Sequence, residues 1–151
     1  MLTMVYKSES FRQTKNFAVQ MAKEISTTKF RAKGAVVLTL RGNLGSGKTT
    51  FTQGFLKGLG IKKKITSPTF VIQKNYKLKA KGYKLAYHID CYRIKKSQEL
   101  LILGIKEIFD NPKNIVLIEW PERISGILPK ERIRINFKYG KKENERKVVI
   151  G

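Results

Sequence analysis

The residues with the clearest chemical meaning form one octet, Gly42, Asn43, Leu44, Gly45, Ser46, Gly47, Lys48 and Thr49. It completes the pattern G-x-x-x-x-G-K-[ST], whose chemistry is binding the phosphates of a nucleoside triphosphate together with magnesium. Gly42, Gly45 and Gly47 allow backbone angles that a Cβ forbids, so the main chain can close around phosphate. The N–H groups of the loop then point inward as an anion nest at a helix N-terminus. The expected phosphate-binding set is therefore Asn43, Leu44, Gly45, Ser46, Gly47, Lys48, Thr49 and Thr50. Lys48 is expected to reach the β- and γ-phosphates as a point charge. The Thr49 hydroxyl is expected to hold magnesium.

Phosphate binding becomes hydrolysis or transfer only with a second acid near the metal, normally at the end of a strand beside the first. Two segments supply one. Ile115 to Ile118 is a run of aliphatics closed by Glu119, and Leu85 to Ile89 is a less apolar run closed by Asp90. Either carboxylate could hold the metal, leaving the other to orient water. Thr69, in the turn-like segment Thr66 to Thr69, could sense the γ-phosphate as switch segments do. Arg93 could pair with phosphate or with a carboxylate. His88 is the one histidine, and a metal needs more ligands than that, so it reads as a strand residue near the site.

The elements that must position these groups follow from pattern. The apolar run Ala35 to Leu40 reads as a buried strand leading into the loop, and Phe51, Phe55 and Leu59 mark the helix that leaves it. A first helix is expected from Ser8 or Ser10 to about Lys29. Its serine caps it, and Phe11, Phe17, Ala18, Met21, Ala22 and Ile25 form its apolar face. Strands are expected over 70–76 and 83–89 around a turn at Gly82. A helical stretch over 97–109 is broken at Gly104, and a strand covers 114–119. A loop lies between Pro121 and Pro129, and two late strands cover 132–137 and 147–150. Early α/β units with late antiparallel strands imply a three-layer α/β/α fold around a mixed, mainly parallel sheet, in one domain over 1–151.

Composition bounds the rest. The chain has 151 residues and is 41% hydrophobic, enough for a real core. One cysteine, Cys91, excludes an internal disulfide and a cysteine-based zinc site. No stretch approaches the length of a membrane span, and the first residues lack the pattern of a signal peptide, so a cytoplasmic location is expected. The formal net charge is +21, from 32 basic and 11 acidic residues. The lysines are scattered, with short clusters at 62–64, 95–96 and 141–142, and no basic-aromatic repeat of a nucleic-acid module is present. This reads as lysine-rich composition spread over solvated faces, giving weak, salt-sensitive RNA affinity.

Taken in order, the loop with Thr50, Thr66 to Phe70, His88 to Arg93, Leu103 to Ile105 and Ile118 to Pro121 resemble the bacterial TsaE family. These are ATPases of tRNA threonylcarbamoyladenosine synthesis, and the resemblance runs over nearly the whole chain. It implies a P-loop NTPase that binds ATP and Mg2+ and acts with TsaB and TsaD, the pair that performs the transfer, any contact with tRNA being indirect or weak. It implies that Lys48 and the loop amides hold phosphate, that Thr49 and Glu119 hold magnesium, and that Asp90 serves hydrolysis. It sets Trp120 near the nucleotide or a partner, Arg146 towards the nucleotide and Ser10 near the base. Asn43 and Ser46 stand where the family more often has Asp and Ala, and Cys91 where Leu is common. A small-molecule kinase would need an arginine-rich lid; Arg123 and Arg132 lie in the right region, but the segment between them is short. A nucleic-acid module using ATP as a switch would need a compact basic face.

Overall fold

The computed structural model describes residues 3–28, 33–66, 72–80 and 82–151. In chain order its elements are β1 (Met4–Ser8), α1 (Phe11–Thr27), β2 (Val36–Arg41), α2 (Lys48–Gly58), β3 (Gln73–Lys77), β4 (Leu85–Asp90), α3 (Gln98–Ile102), α4 (Ile105–Asp110), β5 (Asn114–Glu119), a 3-10 helix (Pro121–Ile127), β6 (Ile133–Tyr139) and β7 (Arg146–Ile150). The strands form one seven-stranded sheet in the order β1-β7-β6-β2-β5-β4-β3. Its middle is parallel, with β2 between β6 and β5, and β4 beyond β5. The flanking pairs β1–β7, β6–β7 and β3–β4 are antiparallel. The expectation of a mainly parallel sheet therefore holds for the centre only. The reason is connection length: β3 to β4 and β6 to β7 are joined by short turns, which cannot make the crossover a parallel pair needs.

Side chains alternate across the sheet and build two cores. Val36, Leu38, Leu40, Ile115 and Leu117 face α1 and α2, packing with Ala18, Ala22, Phe51, Phe55 and Leu56. Val37, Val116 and Ile118 face the other way, against Leu100 of α3, Ile105, Ile108 and Phe109 of α4 and Ile124 of the 3-10 helix. β2 and β5 are thus apolar on both faces, which is why they read as continuous runs rather than alternating ones.

α1 and α2 pack unusually closely because α2 carries glycines four residues apart. A Cβ built on Gly54 would lie 2.3 Å from the Lys15 carbonyl oxygen, and one on Gly58 would lie 2.5 Å from that of Val19. This contact anchors the helix that begins at the glycine loop. α1 is fixed at its start by Ser10, whose hydroxyl accepts from the Gln13 backbone N–H at 3.1 Å, while Gln13 Oε1 accepts from the Glu9 N–H at 2.8 Å. The helix break expected at Gly104 is present between α3 and α4, with φ at +82°. The stretch between Pro121 and Pro129, expected to be a loop, instead begins with the 3-10 helix, which Pro121 opens with its preset φ.

Candidate functional site

Three parallel strands end side by side. β2 runs into the glycine loop, and in the β4–β5 register Asp90 lies opposite Glu119. Because Glu119 has the parity of Leu117 and Ile115, its side chain lies on the face that carries α2. Asp90 and His88 share that face with Ala86. Fold and alternation together bring both sequence-predicted acids to the mouth of the loop.

The loop turns with Gly45 at φ +73° and Gly47 at φ +108°, the second capping α2. Both lie in the left-handed region that glycine tolerates without strain. Lys48, 6% exposed, arches back over the loop: its Nζ donates to the Gly42 carbonyl and, at 3.0 Å, to that of Asn43. The ammonium sits 4.3 Å from the centroid of the Trp120 ring. Burial pushes the Lys48 pKa below its ordinary range, opposed by the carboxylates of Glu119, Glu122 and Asp90.

The Thr49 hydroxyl donates to Glu119 Oε1 at 3.5 Å, so the first turn of α2 meets the end of β5. The other oxygen of Glu119 lies 3.3 Å from His88 Nε2, and both residues are buried. His88, read from sequence as a strand residue near the site, is thus in direct contact with one of its acids. Asp90 is 5% exposed, and its Oδ1 accepts from the Tyr92 backbone N–H at 2.9 Å. Trp120 holds φ at +57°, uncommon for a bulky residue and immediately before a proline, which narrows its choices further. That conformation turns its ring towards Lys48 and to within 5.0 Å of the Tyr92 ring.

Lys48, Thr49, Asp90, Tyr92, Glu119 and Trp120 line a cavity of about 400 Å³ together with Phe11, Leu44, Gly45, Gly47 and Thr50, and His88 lies behind Glu119. Asn43 and Ser46 shape the loop and do not line it; the Asn43 carbonyl accepts from the Ser46 N–H at 3.1 Å. Ser10 is also outside the lining, its hydroxyl being used to cap α1, and the next residue, Phe11, occupies that place. Phe11 was expected on the apolar face of α1 but is 46% exposed and opens onto the cavity. Arg93 is exposed in the turn after Asp90 and does not line the cavity. Thr69 lies outside the described residues.

Arg146 acts from behind the loop. It is 6% exposed, and its guanidinium donates to the carbonyls of Gly45 at 2.9 Å, Glu143 at 2.6 Å and Glu145 at 2.8 Å. Its centre lies 5.0 Å from the Tyr139 ring and 5.5 Å from that of Phe11. The Tyr139 hydroxyl donates to the Leu44 carbonyl. The β6–β7 hairpin therefore holds the loop through the carbonyls of Leu44 and Gly45.

The donor set suits a hard cation. Thr49 and Glu119 offer oxygen ligands, and magnesium is commonly held by one or two such groups with the rest supplied by water and phosphate. Among the described residues there is no cluster of three or more His, Cys, Asp or Glu that would cage a metal on its own. No described helix is long and apolar enough to cross a membrane. Cys91 is buried, and that burial, with the nearby carboxylates of Asp90, Glu122 and Glu119, pushes its thiol up to about 12.

Comparisons with known proteins follow the same lines. A family model described as threonylcarbamoyl adenosine biosynthesis protein TsaE matches residues 8–148. The chain is 40% identical over 111 residues to the tRNA threonylcarbamoyladenosine biosynthesis protein TsaE of Haemophilus influenzae, which covers 74% of this chain and 68% of that one. It is 46% identical over 107 residues to the protein of that name from Bacillus subtilis, covering 71% of this chain and 64% of that one. The crystal structure of Bacillus subtilis YdiB superposes with a TM-score of 0.76 at 34% identity, over 99% of this chain and 84% of that one.

Proposed function

This chain belongs to the TsaE family of tRNA threonylcarbamoyladenosine biosynthesis proteins, and we propose that it serves that modification as a cytoplasmic, magnesium-dependent P-loop ATPase. The observation that carries the reading is the meeting of the Thr49 hydroxyl and the Glu119 carboxylate beside Lys48 and Asp90 in one cavity. The loop amides and Lys48 hold the triphosphate, with the ammonium exchanging its carbonyl partners for phosphate oxygens. Thr49 and Glu119 hold the magnesium ion, which neutralises charge developing on the phosphates when bound. His88 keeps the Glu119 carboxylate oriented, and Asp90 orients water. Phe11 and Arg146 border the side of the loop where the base lies.

In this reading the chain acts on a TsaB–TsaD pair and does not itself transfer the threonylcarbamoyl group. No arginine among the described residues lines the cavity. Hydrolysis by the isolated chain is accordingly slow, and a group supplied in trans by the partner accelerates it.

Binding of a fluorescent ATP analogue tests the site directly. The parent chain is expected to bind it in magnesium and lose most of the affinity in EDTA, and Lys48→Ala is expected not to bind. Equal binding by parent and Lys48→Ala would sink the reading.

A further inference from the structure

Acids and bases are segregated along this chain. Ile25 to Ile89 contains no aspartate or glutamate, while Lys57, Lys62, Lys63, Lys64, Lys74 and Lys77 fall within it. The fold gathers all of these but Lys77, which alternates onto the opposite face of β3 from Lys74. β3, which carries Lys74 and Lys77, is the edge strand of the sheet. Lys74 Nζ donates to the Thr66 hydroxyl and ties that edge to the segment after α2. There, Lys15, Gln53, Lys57, Lys62, Lys63 and Lys64 line a groove of about 610 Å³ with no carboxylate among its described lining residues. Many of the acids lie elsewhere: Glu99, Glu107, Asp110 and Glu122 sit on α3, α4 and the 3-10 helix, across the sheet. This part of the chain's positive charge is thus concentrated in space, with Lys15 added to it from α1.

Lysines on an edge strand also discourage edge-to-edge pairing, which accounts for Lys74 and Lys77. It does not account for Lys57 on α2 or for three consecutive exposed lysines beyond it.

We propose that this groove and the adjoining β3 edge bind the phosphodiester backbone of RNA. The lining favours a polyanion over an acidic protein. Among its described lining residues there is no aromatic residue and no arginine, the anchors that carry protein–protein contacts, and the large apolar ones are Ile61 and Ile65. Five flexible ammonium groups without a guanidinium fork suit phosphate contact that does not read sequence. The choice of RNA rests on the family's work in tRNA modification; the charge geometry stands apart from it.

The test is fluorescence anisotropy of a labelled RNA stem-loop titrated with the full chain across salt concentrations. At about 0.7–0.9 per phosphate contact, five lysines give a slope of log K against log salt of about −4. The variant Lys62→Glu/Lys63→Glu/Lys64→Glu is expected to bind at least about tenfold more weakly, with the slope falling to about −1.5. Lys141→Glu/Lys142→Glu/Lys147→Glu changes net charge equally on exposed residues of the β6–β7 hairpin, and is expected to stay within about threefold of the parent. Equal losses in both variants would reduce the effect to net charge and overturn the proposal. So would capture by phosphatidylglycerol vesicles through the same lysines with RNA left unbound. The fluorescent ATP analogue, run on the same variants, reports separately on the nucleotide site, so failure there leaves the RNA proposal standing and the converse also holds.

Discussion

Replacing Gly54 by alanine puts the helix packing that supports the loop under test. In an exposed helix interior this change stabilises by about 1 kcal/mol, because alanine is the better helix former. Here the new Cβ would lie 2.3 Å from the Lys15 carbonyl oxygen and 3.0 Å from the Lys15 carbonyl carbon. The obstacle is backbone, which cannot rotate away as a side chain can, so α1 must shift. Overpacking costs about 1–3 kcal/mol, and a clash this close with main chain belongs in the upper part of that range, about 2–3 kcal/mol. Set against the propensity gain, the net expectation is a loss of about 1–2 kcal/mol. For a chain of this size that lowers Tm by roughly 2–8 °C. Thermal and urea unfolding measure it, with Gly126→Ala as the internal control. A Cβ there meets nothing within 4 Å, and its φ is not positive. Gly126→Ala is therefore expected to be neutral or to stabilise by up to about 1 kcal/mol. A Gly54→Ala variant as stable as the parent would refute the account of how α1 seats α2.

Three further outcomes follow from the site. Arg146→Ala removes three charged hydrogen bonds to carbonyls, and is expected to lose about 2–3 kcal/mol in urea unfolding and to weaken ATP-analogue binding. Arg146→Lys should recover little of this, since an ammonium cannot span those acceptors as a guanidinium does; full recovery would contradict the clamp. Glu119→Gln keeps the shape beside His88 and is expected to cut magnesium-dependent turnover by about 100-fold or more with the fold intact, as seen by circular dichroism. Glu119→Ala additionally leaves His88 Nε2 buried without its partner, at about 1–3 kcal/mol of stability. Cys91, buried and pushed up to about 12, is expected to resist a thiol reagent at pH 8 until urea unfolds the chain. Rapid labelling of the native protein would show that the β4 end is open.

What could be read in advance was local. β2, the glycine loop, α2 and β5 announce themselves through continuous apolar runs and a contiguous motif, so their existence and order are in the residues themselves. β1 could not be read this way: its partner β7 lies at the other end of the chain, and its strand pattern is short and largely exposed. Gly54 and Gly58 look like weak points of a helix until the neighbouring helix is in place. The meeting of Glu119 with His88 and Thr49 depends on strand register, and neither pairing is adjacent in sequence. The role of Phe11 in lining the cavity turns on which residue caps α1; the cap Ser10 was legible, but the direction of the ring beyond it was not. Arg146 was suggested by family resemblance alone, because its acceptors are carbonyls, which no side-chain pattern records. The connection lengths that make the sheet antiparallel at its flanks were visible as short turns, and the mixed sheet was accordingly foreseen.

The most direct measurement of the central claim is ATP hydrolysis by the purified chain, alone and with a cognate TsaB–TsaD pair, in magnesium, with Lys48→Ala as control. The account predicts slow turnover alone, a rise of at least about tenfold with the pair, and none in the variant. Turnover indifferent to the pair but raised by a small phosphate acceptor would contradict it and point to a kinase.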